Sequence, residues 1–147
     1  MKGLLFLFFS ILLMDLITIA LFLSPLSTAV DPTPEVGSAA WYDAPYTPNA
    51  CKIGEEHLAP DGLYAAVDEG LWNKTGNPCG SKVQVRCIEG PDTCHYGTNL
   101  TATITDRLQQ MVSEPSSFDV RLVLSKKAYG SIADSSRDSI KVQFQLL

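Results

Sequence analysis

The segment at residues 139–147 reads "SIKVQFQLL", and it carries the clearest strand pattern in the sequence. Its apolar and polar side chains alternate without a break, which is typical of a strand with one face on a core and the other in water. The two faces hold Ile140, Val142, Phe144 and Leu146 on one side and Lys141, Gln143 and Gln145 on the other. The segment therefore predicts a half-buried β-strand.

Similar but shorter patterns lie upstream. The segments at residues 82–87 (KVQVRC) and 101–106 (TATITD) alternate in the same way, and three more strands are predicted at 37–42, 63–67 and 118–124. A short turn carrying Trp72 follows the second of these strands. One helix is predicted after Ser125, its N-cap, with Ala128 and Ile132 on one face. This pattern favours a mostly β domain, and it does not choose between a closed barrel and a sandwich.

The first part of the chain has the composition of an export signal. Lys2 precedes a long apolar stretch, and the small residues Ser27 and Ala29 offer a cleavage site. We predict a signal peptide at residues 1–29, a linker at 30–36 and one domain at 37–147 in this chain of 147 residues. A retained membrane anchor is the alternative, but Asp15 within the stretch would cost roughly 2.5–3.5 kcal/mol at a helix centre.

Charge and cysteine content narrow the class of partner. The net charge of −5 argues against nucleic acid and anionic membranes as partners. An even number of cysteines in an exported chain predicts disulfides, with three possible pairings among Cys51, Cys79, Cys87 and Cys94. Zinc is the alternative, but the sequence has no CxxC or HxxxH spacing. We therefore predict no metal and no cofactor.

Two triplets match the acceptor sequence for N-linked glycans. They begin at Asn73 (Asn-Lys-Thr) and at Asn99 (Asn-Leu-Thr). Asn73 lies among residues typical of a surface loop, whereas Asn99 is next to the strand that begins at Thr101. Both are predicted glycosylation sites.

Four segments in a fixed order resemble a known family. They are "GSAAWYDAPYTPNAC", "LYAAVDEGLWNKTGNPCGSKVQVRC", "TATITD" and "LSKKAYGSIAD" with the following "IKVQF". Together they resemble the plant natriuretic peptides and related secreted proteins built on the first domain of expansins, a domain similar to barwin and to family-45 endoglucanases. The resemblance implies a mainly β fold, a six-stranded double-psi β-barrel with one or two short helices and an open groove. It also implies disulfides between Cys51 and Cys79 and between Cys87 and Cys94.

The resemblance places two aspartates in the groove of catalytic relatives. One ends the strand that matches "TITD" and corresponds to Asp106, and the other precedes the helix. An ungapped reading puts Val123 at the second position, and the alternative reading puts Asp119 there. Inverting hydrolysis needs two carboxyl groups about 6.5–9.5 Å apart, and valine cannot transfer a proton. We therefore predict no enzyme and interpret Asp106 as a turn cap, with a single-aspartate lytic mechanism as the alternative.

Trp41 and Tyr42 are candidates for a sugar-stacking surface in the groove. The resemblance implies a secreted, apoplastic and non-enzymatic protein that acts in extracellular signalling, water and ion balance or stress response. Its partner would be a membrane receptor, reached through the stretch between Cys51 and Cys79. The alternative is a protein that binds or loosens cell-wall polysaccharide without hydrolysis. A monomer is expected in either case.

Overall fold

Six strands of the described residues close into one barrel. The computed structural model describes residues 33–89, 92–108 and 120–147. The strands are β1 (Glu35–Tyr42), β2 (Tyr64–Val67), β3 (Lys82–Cys87), β4 (Leu100–Arg107), β5 (Val120–Ser125) and β6 (Ser139–Leu146). Around the barrel they follow the order β1-β5-β2-β4-β3-β6. The β1/β5 and β2/β4 pairs are parallel, and the other four are antiparallel. The mainly β, six-stranded barrel implied by the family resemblance is confirmed.

Alternate residues of every strand point into the barrel. Strand β6 shows this most clearly, since Ile140, Val142 and Phe144 are buried while Lys141 is exposed. Burying one such side chain stabilises the fold by about 1.5–3 kcal/mol. The other strands contribute the remaining interior positions: Ala39, Ala65, Val67, Val83, Val85, Leu100, Ala102, Ile104, Leu122 and Leu124.

In the described residues two short α-helices cover parts of this barrel. Helix α1 (Glu69–Thr75) lies where only a turn was predicted, so that prediction was wrong. Both of its ends are capped. Asp68 accepts a hydrogen bond from the Leu71 backbone N–H at 2.7 Å, and Gly76 ends the helix with a positive φ of 75°. Helix α2 (Lys126–Ile132) confirms the second prediction, including Ser125 as its N-cap.

Strand β1 corrects one predicted boundary. It begins at Glu35, so the last two residues of the predicted linker at 30–36 belong to the barrel. Glu35 is opposite Phe144 on β6, and its carboxylate accepts a hydrogen bond from Lys74 at 2.7 Å. The predicted signal peptide at 1–29 lies outside the described residues. Nowhere in the described part of the chain is a helix long and apolar enough to cross a bilayer.

Two disulfides link the loops to the barrel. Cys51 is bonded to Cys79, 28 residues away, and Cys87 is bonded to Cys94. These are the pairs that the family resemblance implies, and all four cysteines are used. In the chain-entropy model a loop of the first length stabilises the folded state by roughly 3–4 kcal/mol.

Candidate functional site

Four neighbouring strands place one row of residues on the outside of the barrel. Strand register puts Ala40 beside Val123, Val123 beside Ala66, and Ala66 beside Asp106. Their sequence neighbours Ala39, Ala65, Leu122 and Leu124 lie in the interior core. Because strand side chains alternate between faces, and a β-bulge shifts the register between Ala65 and Ala66, the row points away from the barrel interior. Ala40, Ala66 and Val123 are buried there in a second apolar cluster. We call the outer surface of β1, β5, β2 and β4 the central outer face.

Val123 is the residue that the ungapped reading of the sequence puts at the second-acid position. It is two strands away from Asp106, and a spacing of about 4.8 Å per strand puts their Cα atoms roughly 10 Å apart. Val123 is only 1% exposed and packs in a separate apolar cluster with Ala40, Ala66 and Leu108. These side chains cannot accept or donate a proton. The row therefore offers one carboxylate, at Asp106.

The Asp106 carboxylate already accepts hydrogen bonds from the backbone. The residue is 7% exposed, and its Oδ1 accepts hydrogen bonds at 2.8 Å from the backbone N–H groups of Ala50 and Arg107. The first donor belongs to the loop after β1, 56 residues away in sequence. Asp106 thus accepts backbone hydrogen bonds, as a turn cap would, and one of them joins a distant loop to β4.

Two buried hydroxyl groups lie beside this carboxylate. Among the described residues, neither the Tyr42 hydroxyl nor the Thr105 hydroxyl has a hydrogen bond of good geometry, although the two side chains lie close enough for Thr105 to oppose the rise of the Tyr42 pKa. Burial raises the pKa of the Tyr42 phenol well above its ordinary value, and the nearby Asp106 carboxylate raises it further. The phenol is therefore protonated at neutral pH and can donate a hydrogen bond. A water molecule or a hydroxyl of a ligand would satisfy both groups.

Three tyrosines continue this end of the central outer face. The rings of Tyr42 and Tyr46 meet edge to face with centroids 5.0 Å apart, and those of Tyr46 and Tyr64 are 5.1 Å apart. Tyr64 is buried, whereas Tyr42 and Tyr46 are partly exposed. The sequence analysis did not single out Tyr46 or Tyr64. The repeated tyrosines of the segment "YDAPY" were the available signal.

The similarity of the chain to known proteins agrees with this architecture. The sequence matches no protein-family model. It is 30% identical over 130 residues to an EG45-like domain containing protein 2 of Arabidopsis thaliana, covering 88% of this chain and 89% of that protein. An EG45-like domain containing protein of Citrus jambhiri is 30% identical over 114 residues, 74% of this chain and 78% of that protein. The chain belongs to the expansin/EG45-like family.

Expansins are also similar to this chain, but only over part of their own length. Expansin-B1 of Zea mays is 36% identical over 102 residues, and the chain covers 35% of it. A crystal structure of an expansin from Clavibacter michiganensis superimposes with a TM-score of 0.55 at 16% identity, covering 78% of this chain and 50% of that one. A mutant of that expansin, in complex with cellohexaose, gives a TM-score of 0.54 at 17% identity and the same coverage. The expansin/EG45-like fold is thus established for the barrel.

Trp41 and Tyr42 do not form one surface in this family member. Tyr42 belongs to the cluster around Val123, whereas Trp41 is on the other face of β1 and packs against the interior core. The Trp41 indole donates a hydrogen bond to the Arg137 carbonyl at 3.1 Å. Lys126 lies 5.0 Å from its ring centroid. The alternation of a strand separates these two neighbours, so the predicted joint stacking surface was wrong.

The remaining predicted site residues lie elsewhere or outside the described residues. Asn73 is exposed on α1, not in the predicted loop, and Asn99 is exposed just before β4. Asp119, the alternative second acid, lies outside the described residues. Within residues 33–89, 92–108 and 120–147, no three His, Cys, Asp or Glu side chains come together as a metal site would require.

Proposed function

We propose that this chain is a secreted, extracellular protein that binds a polysaccharide chain on the central outer face without hydrolysing it. One observation carries the non-hydrolytic part of the proposal: in the row from Ala40 to Asp106, Asp106 is the one carboxylate, and the apolar Ala66 and Val123 occupy the next two strands. General acid and general base roles both need an ionisable group, and an apolar cluster supplies neither. Residues 1–29 serve as the signal peptide, and the protein acts as a monomer in the apoplast.

The polar and aromatic groups of the same face support sugar binding. The nearly buried Tyr42, Thr105 and Asp106 form a polar cluster that can hold one water molecule beneath this surface. The partly exposed ring of Tyr46 offers an apolar surface beside them. The related bacterial expansin that was crystallised with cellohexaose makes a β-glucan the first ligand to test.

A retention assay tests this proposal. The mature protein is incubated with insoluble cellulose, xylan and pectin, and the bound fraction and the released reducing ends are both measured. We expect retention on at least one polymer without reducing ends. Tyr46→Ala should weaken retention several-fold, since one aromatic contact is worth about 0.5–1.5 kcal/mol. Tyr96→Ala, at a tyrosine that is 64% exposed in another loop, is the matched control and should bind normally.

A signalling role like that of plant natriuretic peptides is the second candidate. The disulfide between Cys51 and Cys79 closes the segment that such a role would use. Strand β2 lies fully buried within this segment, so the loop at 52–62, helix α1 and the exposed Gly76 and Asn77 are the parts available to a membrane receptor. The loop carries exposed acidic residues, Glu55 and Glu56. Two results together would favour this candidate. The intact protein would make protoplasts swell and the Glu55→Gln/Glu56→Gln variant would not, and the protein would not be retained on any polymer.

A further inference from the structure

A polar cavity lies on the side of the barrel away from the central outer face. It has a volume of about 210 Å³ and opens on the outer surface of β3 and β6, the two strands that the central outer face does not use. Strand register places Gln84 beside Gln145 and Arg86 beside Gln143. The Arg86 Nε donates a hydrogen bond to the Gln143 Oε1 at 2.7 Å, which fixes two of these side chains. Asn99 is one of the residues that line the cavity.

The glycan acceptor triplet that begins at Asn99 lies next to this cavity. Asn99 and Thr101 are both exposed, while Leu100 between them is buried in the barrel. Leu100 is opposite Val85 and Thr101 is opposite Gln84, so Asn99 adjoins the outer surface of β3. A glycan on Asn99 would therefore leave the barrel core untouched and begin beside the cavity.

We propose that Asn99 carries an N-linked glycan whose first N-acetylglucosamine residue lies in this cavity. The side-chain amides of Gln84 and Gln145 can both donate hydrogen bonds to and accept them from sugar hydroxyl and acetamido groups, and the Arg86 guanidinium can donate to them. The cavity is smaller than the roughly 300–1,000 Å³ typical of drug-sized ligand sites, so it suits one sugar residue. The covalent bond to Asn99 gives the sugar an effective concentration of the order of mM at the cavity, so even a site of weak affinity would be occupied.

This inference rests on the export part of the proposed function, because N-glycans are added in the secretory pathway. The full chain is expressed in cultured human cells, and the secreted protein is mapped for glycopeptides. A second version carries the host's own leader before Val30. If only the second version is secreted, the export proposal is wrong, and the glycan can still be tested. Thr101→Ala should remove the glycan at Asn99, and Thr103→Ala on the same strand should not.

The docking is measured by the rate at which peptide N-glycosidase F removes each glycan from the folded protein. We expect release from Asn99 to be roughly fivefold slower than after denaturation, because one net hydrogen bond changes an equilibrium by about that factor. The exposed glycan on Asn73 is the reference for a site on a helix surface. Gln84→Ala/Gln145→Ala should restore fast release from Asn99 in a folded protein. An unmodified Asn99 in the secreted protein, or equal rates before and after denaturation, would overturn the inference.

Discussion

Replacing Asp106 tests the role that the structure gives to its carboxylate. In Asp106→Ala, the backbone N–H groups of Ala50 and Arg107 lose their acceptor. An unsatisfied buried donor costs about 1–3 kcal/mol, and both donors here are only partly buried, so water can reach them. We therefore expect the free energy of unfolding to fall by about 2–4 kcal/mol. In Asp106→Asn, the amide oxygen still accepts both bonds, and the fall should be about 1 kcal/mol or less.

Chemical denaturation with intact disulfides measures these values, provided that the slopes of the transitions agree. Asp43→Ala is the matched control: its carboxylate forms an exposed ion pair with Lys126, and such pairs are worth about 0–1 kcal/mol. Catalytic groups are often held in settings that reduce stability. An Asp106→Ala protein as stable as the wild type, or more stable, would therefore refute the structural role and point to a retained catalytic acid.

Three further predictions concern the frame around the site. Alkylation of the unreduced protein should label no cysteine, and any labelled thiol would contradict the assigned pairs. Replacing Cys51 and Cys79 together by alanine should lower the free energy of unfolding by roughly 3–4 kcal/mol in denaturation experiments. Asp68→Ala removes both the cap of α1 and the ion pair with Arg121, so thermal unfolding should show a loss larger than the roughly 0.5–2 kcal/mol of a cap. Asp68→Asn keeps a capping oxygen and loses only the ion pair, so its loss should be smaller by about the value of the cap; equal losses would exclude capping. The hydrogen bond from Lys74 holds the pKa of Glu35 below its ordinary value of 4.5. The stabilisation from Glu35 is thus complete above that pH and is lost as the pH falls through the folded-state pKa. In Glu35→Gln the free energy of unfolding should therefore depend less on pH on the acid side. An acid profile equal to that of the wild type would contradict this prediction.

The strands could be predicted from the sequence because their pattern is local. Residues 139–147 alternate without interruption, and the structure places Ile140, Val142 and Phe144 in the core. Closure into a barrel could not be read in the same way, since it depends on which strands pair. The parallel pairing of β1 with β5 joins segments about 80 residues apart in sequence, and only the family resemblance indicated it.

Helix α1 and the candidate site show where local patterns are insufficient. The helix has only seven residues, including glycine and threonine, so its intrinsic propensity is low. It depends on a cap, on the burial of Leu71 and on the glycine that ends it. Asp106 was identified from its place at the end of a strand, but its Ala50 partner comes from 56 residues away. Sequence spacing carries no information about such a contact.

One measurement tests the central claim, that the central outer face binds a β-glucan without cleaving it. Purified protein and cellohexaose are observed together by NMR, which follows the protein resonances and the anomeric protons of the sugar in one sample. We expect changes confined to the surroundings of Tyr42, Tyr46 and Asp106, with no new reducing ends. Unchanged protein resonances would contradict binding. New reducing ends that disappear in Asp106→Asn or Asp119→Asn would contradict the non-hydrolytic assignment.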